Sequence, residues 1–397
     1  MTLSNTSIFQ SDHDGAPSAN LTGSKVICAM SGGVDSSATA LLLKEAGCLV
    51  AGVTMRLFDP VSAKAAQTCD EDASPGSTSQ TTEPAACGSS QDALDARAAA
   101  EKLGVEQCII DFSAEFAECV IDPFCRSYLQ GMTPNPCVRC NRAMKFGALH
   151  RHRKERGFDY VATGHYARRC YHAESGRYLL KTALDPSKDQ SYVLYSLTQE
   201  DLAHTLFPLG ELTKPQVRAI AQQAGLVNAQ KAESQDICFI PDGDYLGFIR
   251  RRTGTVPQPG PIVHVDGTVL GTHQGLAAYT IGQRKGIGIA WSEPLYVCGK
   301  DPEGNKLIVG TKEEALVTKV FVDQVNLISV ERMDRPMEVT VKTYYRQKPQ
   351  AATAVQTGPN SVELTFAQPI RACAADQAAV FYQGDVVVGG GTIAGCS

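Results

Sequence analysis

A short apolar run, Lys25 to Met30, breaks into Ser31-Gly32-Gly33-Val34-Asp35-Ser36-Ser37, and a helix-forming stretch from Ser36 to Ala46 follows at once, with Gly47 as its stop. No other feature constrains the fold as tightly. A buried strand, a glycine turn and a helix in succession open a βαβ unit, and the helix N-terminus offers backbone N–H groups to an anion. The serine hydroxyls add donors. The string lacks the Gly-Lys-Ser/Thr ending of a Walker loop, so transfer of a γ-phosphate is not its natural chemistry. Asp35 sits where a carboxylate could hold Mg²⁺ on phosphates, or where it could serve as a plain helix N-cap.

The same rhythm continues. Cys48 to Met55, Glu106 to Phe112 and Phe158 to Thr163 read as strands, and Gln91 to Leu103 and Ala114 to Leu129 read as helices, the latter interrupted by Pro123. Strands alternating with helices imply a parallel sheet with ligands beyond the carboxyl ends of its strands. Phe58 to Ser90, rich in Ser, Thr, Pro and Ala, reads as a long mobile loop. A helix begins after Thr213, with Pro215 in its first turn, and stops at Gly225. The pattern then changes: Gly254 to Thr272 carries short β-like pieces, while Val339 to Thr343, Val362 to Phe366 and Ala379 to Val388 favour an antiparallel β-barrel. The chain is therefore expected to be α/β: a Rossmann-like parallel-sheet domain (25–212), a small central domain (213–312) and a C-terminal antiparallel β-barrel (313–397), after a disordered tail (1–24). Three domains suit 397 residues.

Met1 to Ser24 lacks the basic and apolar regions of a signal peptide, and no run approaches the roughly 18 apolar residues of a membrane span. A soluble, cytoplasmic protein with no membrane partner is expected. Fourteen cysteines without an export signal fit a reducing compartment better than a disulfide framework. Cys28, Cys48, Cys108, Cys298 and Cys373 lie in or beside apolar segments and read as buried hydrophobes.

Cys137 and Cys140 differ in context. They lie in Thr133-Pro134-Asn135-Pro136-Cys137-Val138-Arg139-Cys140-Asn141, after a proline-stiffened turn and before a basic helix. A helix N-terminus with Arg139 and Arg142 nearby would lower a thiol pKa, and Cys140 is the better placed of the two. Cys238 stands far away in Ser234-Gln235-Asp236-Ile237-Cys238-Phe239-Ile240. Two cysteines meeting in the fold would permit a persulfide on one and a resolving thiolate on the other. Spacing alone also allows a redox pair or half of a zinc site, though no second pair completes four zinc ligands.

The net charge of -5 removes whole-chain basicity as an argument for nucleic acid. Locally, Arg139 to Arg156 carries seven cationic residues against Glu155 alone, a charge of +6. That stretch is a candidate phosphate-tracking face or a solvated helix face. Arg250-Arg251-Arg252 and Arg284-Lys285 are shorter runs of the same kind. Tyr344-Tyr345-Arg346 suits stacking on an unpaired base.

The glycine-serine string closely resembles the PP-loop of the ATP pyrophosphatases. With Asn135 to Asn141, Ala162-Thr163-Gly164-His165-Tyr166, Lys188-Asp189-Gln190-Ser191-Tyr192, Ser234 to Ile240 and Tyr279 to Arg284 in order, the chain resembles the bacterial tRNA-uridine 2-sulfurtransferase (MnmA) family from about Lys25 to its end. The resemblance implies ATP-dependent 2-thiolation of the wobble uridine of tRNA with Mg²⁺, Cys140 as nucleophile, Cys238 as persulfide carrier and a transient Cys140–Cys238 disulfide. It implies ATP contacts at Ala29, Met30, Ser31, Gly32, Gly33, Val34, Asp35, Ser36, Met55 and Gly164, and tRNA contacts at His165, Lys188, Asp189, Gln190, Tyr344, Tyr345 and Gln377. A cysteine desulfurase or relay protein would supply the sulfur. Cys137 departs from the family pattern, where many members carry Asp near the target base. That departure creates three thiolate candidates, Cys137, Cys140 and Cys238, for a [4Fe-4S] cluster, an alternative to cluster-free persulfide chemistry. A PP-loop adenylator of small molecules and a non-catalytic RNA-binding protein are the competing readings.

Overall fold

The computed structural model describes residues 21–58, 90–231 and 237–397. Most of the expected loop at 58–90 and of the expected tail lies outside the described residues. Residues 21–24, assigned to that tail, belong to the fold instead. Leu21 is buried in the first core cluster, and the Leu49 N–H donates to the Ser24 carbonyl, so the ordered chain starts before residue 25.

The first sheet is parallel, with β1 (Lys25–Ala29) at its centre, β2 (Leu49–Arg56) and β3 (Glu106–Asp111) to one side, and β4 (Tyr160–Ala162) to the other. Alternation along β1 explains why both faces are covered. Val26 and Cys28 pack with Leu43, Ala96, Ala99 and Leu103 from helices Val34–Glu45 and Ser90–Leu103, whereas Ile27 packs with Leu149 on the opposite face. Helix Lys214–Gln223, placed by sequence at the start of the central domain, sends Ala221 into this same core. Cys108, expected to be buried, is exposed because β3 is an edge strand. Cys298 is only half-buried.

Two further strands of the N-terminal half, β5 (Arg168–His172) and β6 (Arg177–Lys181), form a hairpin, and β7 (Thr205–Leu206) completes the first sheet in the order β3-β2-β1-β4-β7. The order reverses between β1 and β4, which puts a ligand crevice at their carboxyl ends. The central unit is a four-stranded sheet of β8 (Gly260–His264), β9 (Val269–His273), β10 (Tyr296–Asp301) and β11 (Lys306–Gly310) around Ile262, Val297, Leu307 and Val309.

Six antiparallel strands follow: β12 (Leu316–Leu327), β13 (Met337–Lys342), β14 (Gln350–Gly358), β15 (Ser361–Arg371), β16 (Ala378–Gln383) and β17 (Val386–Cys396). Pairing of β12 with both β15 and β17 closes them into a barrel, as the alternating apolar pattern anticipates. The β5–β6 hairpin extends this sheet through the Lys181–Val386 pair and so joins the barrel to the N-terminal half.

Candidate active site

The glycine-serine string occupies the crevice. The Met30 N–H donates to the Val53 carbonyl at 2.8 Å, and the Thr54 hydroxyl donates to the Met30 carbonyl at 2.8 Å, so the loop leaves the sheet from a fixed point. Gly32 has a φ of +74°, and a Cβ there would lie 2.2 Å from the Asp92 carbonyl oxygen; both conditions require glycine. Gly33 is the N-cap and supplies no side-chain bond, which leaves the N–H groups of the first turn for a ligand. The Ser31 N–H donates to Ser36 Oγ at 3.2 Å, and Ser36 Oγ donates to the Gly33 carbonyl at 3.0 Å, so Ser36 shapes the loop from within. Gly164 abuts it: a Cβ there would meet Asp35 C and Ser36 N at 2.9 Å.

Asp35 is not the N-cap, since that position belongs to Gly33. Its two carboxylate oxygens each accept from Lys214 Nζ at 2.8 Å, and Oδ1 also accepts from the Tyr166 hydroxyl at 2.8 Å. The carboxylate thus anchors the loop to helix Lys214–Gln223. Lys214, Tyr166 and Asn228 were not singled out from sequence. A lysine in the first turn of a helix, between Thr213 and Pro215 and contrary to the dipole preference, is the local signal by which Lys214 can be found in the sequence.

Asn135 caps the cysteine-bearing helix by accepting the Val138 N–H, and Pro136 opens its first turn. The helical path runs from Pro136 to Arg156 and widens into a π-helical segment, Asn141–Ala148, directly after Cys140. Cys137 is exposed and Cys140 buried. Cys140 lies in one apolar cluster with Cys238 and Met55, packed among Phe116, Phe124 and Phe239. Phe239, next to Cys238, meets Phe116 and Phe124 edge-on at ring separations of 5.7 and 5.3 Å. Ser234, Gln235 and Asp236 lie outside the described residues.

Arg139, expected to act on the thiols, instead joins the barrel: its guanidinium donates to both Asp376 oxygens at 3.0 and 3.2 Å, and Ser127 Oγ donates to the same carboxylate at 2.6 Å. Gln377, expected at the tRNA, donates through Nε2 to the Thr133 carbonyl at 2.8 Å, and the Thr133 N–H donates to the Ala375 carbonyl at 3.0 Å. The 375–377 turn of the barrel therefore holds the cysteine loop.

Of the other expected tRNA-contacting residues, Lys188, Asp189, Gln190, Tyr344 and Tyr345 come together. The Tyr345 hydroxyl donates to the Asp189 carbonyl at 3.0 Å, and Tyr344 is 54% exposed. The Asp189 carboxylate accepts the Ala183 and Ser191 N–H groups, both at 3.1 Å, and Gln190 Oε1 accepts the Tyr166 N–H at 2.9 Å, so these two side chains build the platform rather than project from it. His165 is buried between Phe146 and Phe207, with Nδ1 2.8 Å from Thr163 Oγ1. Burial, with Lys145 nearby, holds its imidazole well below its ordinary pKa, and the residue is 6% exposed.

The basic stretch is also less open than its charge suggests. Arg139 pairs with Asp376, Arg151 with Glu115, and Lys154 with Glu200, while buried Arg153 donates to the Phe158 and Asp159 carbonyls. At least four of its seven cations are thus used by the fold itself.

The donor sets for metals are equally informative. Among the described residues no group of three or more His, Cys, Asp or Glu side chains could hold a metal ion. Cys137 is exposed whereas Cys140 and Cys238 share the apolar cluster, and among the described residues the three thiols do not form such a group. At the loop, Asp35 is 30% exposed and paired with Lys214, so a Mg²⁺ on a nucleotide's phosphates would share its carboxylate with that ammonium.

Comparison with known proteins agrees with this architecture domain by domain. Residues 24–242 match the tRNA methyl transferase HUP domain, 247–311 the tRNA methyl transferase PRC-barrel domain, and 317–393 the aminomethyltransferase beta-barrel domain. The chain is 48% identical over 365 residues to the tRNA-specific 2-thiouridylase MnmA of Moorella thermoacetica, covering 92% of this chain and 98% of that one. It is 46% identical to MnmA 1 of Caldanaerobacter subterraneus subsp. tengcongensis, covering 93% and 97%. Among solved structures, the U34-tRNA thiolase NcsA from Methanococcus maripaludis with its [4Fe-4S] cluster is 16% identical, covering 60% of this chain and 71% of that one; its TM-score of 0.31 is too low to carry an argument. Near-full-length identity of this size, on a chain whose three units each match in order, means that it belongs to the tRNA-specific 2-thiouridylase (MnmA) family.

Proposed function

We propose that this chain carries out the tRNA 2-thiolation of its family by adenylating the C2 oxygen of the wobble uridine and transferring sulfur from a persulfide on Cys238. The observation that carries this reading is the shared apolar cluster of Cys140, Cys238 and Met55, which draws together residues from three distant parts of the sequence. Mg·ATP binds as substrate, with its phosphates at the N–H groups of the Ser31–Ser36 loop. The uridine leaves its stack, because C2 cannot be reached within it. Its oxygen attacks the α-phosphorus and pyrophosphate departs. The terminal sulfur of the Cys238 persulfide then attacks C2. The Cys140 thiolate attacks Cys238 Sγ, breaking the sulfur–sulfur bond, and the C2–O bond breaks to release AMP. A Cys140–Cys238 disulfide remains for reduction by an external thiol. The sulfur source is a cysteine desulfurase or its relay, and the setting is the cytoplasm; among the described residues no helix is long and apolar enough to cross a membrane. Lys188 and the exposed Tyr344 offer the tRNA a cationic and an aromatic contact beside Tyr345.

The test is nucleoside mass spectrometry of tRNA incubated with protein, Mg·ATP, a desulfurase and cysteine. Wild type should form 2-thiouridine, and Cys140→Ser and Cys238→Ser should each form none. Full activity of Cys238→Ser under these conditions would refute the persulfide assignment. AMP and pyrophosphate formed without any change to the tRNA would favour a small-molecule adenylator.

A further inference from the structure

We infer that Asn228 is a positioning residue for the anion loop, orienting the Gly33 and Val34 N–H groups towards the phosphates by holding the carbonyls on the other side of the same peptides. Asn228 lies in the turn after helix Lys214–Gln223 and is 3% exposed. Its Nδ2 donates to the Gly32 carbonyl at 3.0 Å, to the Gly33 carbonyl at 3.3 Å and to Ser37 Oγ at 2.8 Å. In a trans peptide the C=O and the following N–H point to opposite sides. Fixing the Gly32 carbonyl therefore fixes the direction of the Gly33 N–H, while the Gly33 carbonyl, and with it the Val34 N–H, is held by Asn228 together with the Ser36 and Ser37 hydroxyls.

The loop needs such a clamp. Gly32 sits at φ +74° beside Gly33, and two glycines give the Gly32–Gly33 peptide little intrinsic preference for one orientation. The amide orientation of Asn228 is dictated by its neighbours, since a flipped amide would set Oδ1 against two carbonyl oxygens. In the observed orientation Oδ1 is buried and, among the described residues, has no hydrogen-bond partner. What this buried amide contributes to the loop is therefore its donor. The turn is pinned in addition by Lys231, whose Nζ donates to Asp92 at 2.7 Å and to Asp95 at 2.5 Å on helix Ser90–Leu103. Asn228 touches no reacting atom; it acts through the backbone.

This inference rests on the proposed nucleotide site, and the experiment separates the two. Calorimetric titrations of the full chain with inorganic pyrophosphate, ATP, adenosine and tRNA are compared for wild type and Asn228→Leu, which keeps the shape and removes the donor without adding charge. The expected result is at least tenfold weaker binding of pyrophosphate and ATP, with adenosine and tRNA affinities unchanged. A folded variant that binds pyrophosphate like wild type, or one that loses adenosine and tRNA affinity in parallel, overturns the inference. Should Asn228→Leu not fold, Asn228→Ser, which retains a shorter donor, is measured against the same expectations. If wild type itself binds neither pyrophosphate nor ATP, the anion-loop reading fails and the inference falls with it.

Discussion

Asp376 gives the sharpest test of how the barrel governs the cysteine loop. Its side chain is 10% exposed and its φ is +68°, a left-handed conformation that Asp tolerates and Ala does not. In Asp376→Ala three losses combine. The buried Ser127 hydroxyl loses its acceptor, which costs about 1–3 kcal/mol. The Arg139 ion pair adds no more than about 1 kcal/mol, because Arg139 is 39% exposed and water takes over from the carboxylate. Alanine in the left-handed region costs about 1–2 kcal/mol. The expected total is about 2–6 kcal/mol, whereas Asp376→Asn, which keeps both the backbone tolerance and an acceptor, should cost about 1 kcal/mol. Because a multidomain chain need not unfold in one transition, a global melt would blur the effect, and amide hydrogen exchange at Val138 and Arg139 reads it locally. At a tenfold rate change per 1.4 kcal/mol, those amides should exchange at least about twentyfold faster in the Ala variant and about fivefold faster in the Asn variant. Exchange within threefold of wild type in Asp376→Ala would show that the 375–377 turn does not hold the loop.

Two other perturbations follow from the geometry. Gly32→Ala places a Cβ 2.2 Å from the Asp92 carbonyl oxygen at a positive φ, so it should cost about 3 kcal/mol or more and abolish ATP binding; a variant that melts with wild type refutes the requirement for glycine. Stability should also fall in mild acid. Burial, helped by Arg153, pushes His150 down to about 4, and His165 moves in the same direction. Both histidines are neutral in the fold and would be protonated in the unfolded chain below about pH 6.5, so their contribution is complete above that pH and is lost as the pH falls towards 4. Urea midpoints at pH 7.5 and pH 5 measure the loss, and a His150→Gln variant should show a smaller difference; an equal one would assign the acid sensitivity elsewhere.

How much of this was legible in the sequence depends on whether the signal was local. The strand-turn-helix at Lys25 to Glu45 was readable because its period, glycines and cap act within a few residues. The barrel was readable from alternation, as in Val362, Leu364 and Phe366, all of which face inward. What the chain does not print is pairing over distance. Nothing near Cys108 says that its strand lies at a sheet edge, and nothing near Leu21 says that it packs beside Leu43. The same limit hid Asn228, whose value comes entirely from carbonyls almost two hundred residues away.

The basic stretch shows why charge along a sequence is a weak guide to a binding face. Counting +6 between Arg139 and Arg156 treats each cation as if it faced solvent, but the helical path turns them in different directions. Arg153 points inward to carbonyls at the end of its own helix, and Arg139 points across a domain boundary to Asp376. The acidic partners Asp376, Glu115 and Glu200 come from other parts of the chain, and their presence lowers the potential that a phosphate backbone would feel. By contrast, Lys188, Tyr344 and Tyr345 form no conspicuous run, yet the hydrogen bond from Tyr345 to Asp189 brings the loop at 185–190 beside the aromatic turn. The surface of Lys188, Tyr344 and Tyr345 is therefore assembled from two modest segments, while the most highly charged segment spends much of its charge within its own domain and, through Arg139, on the barrel.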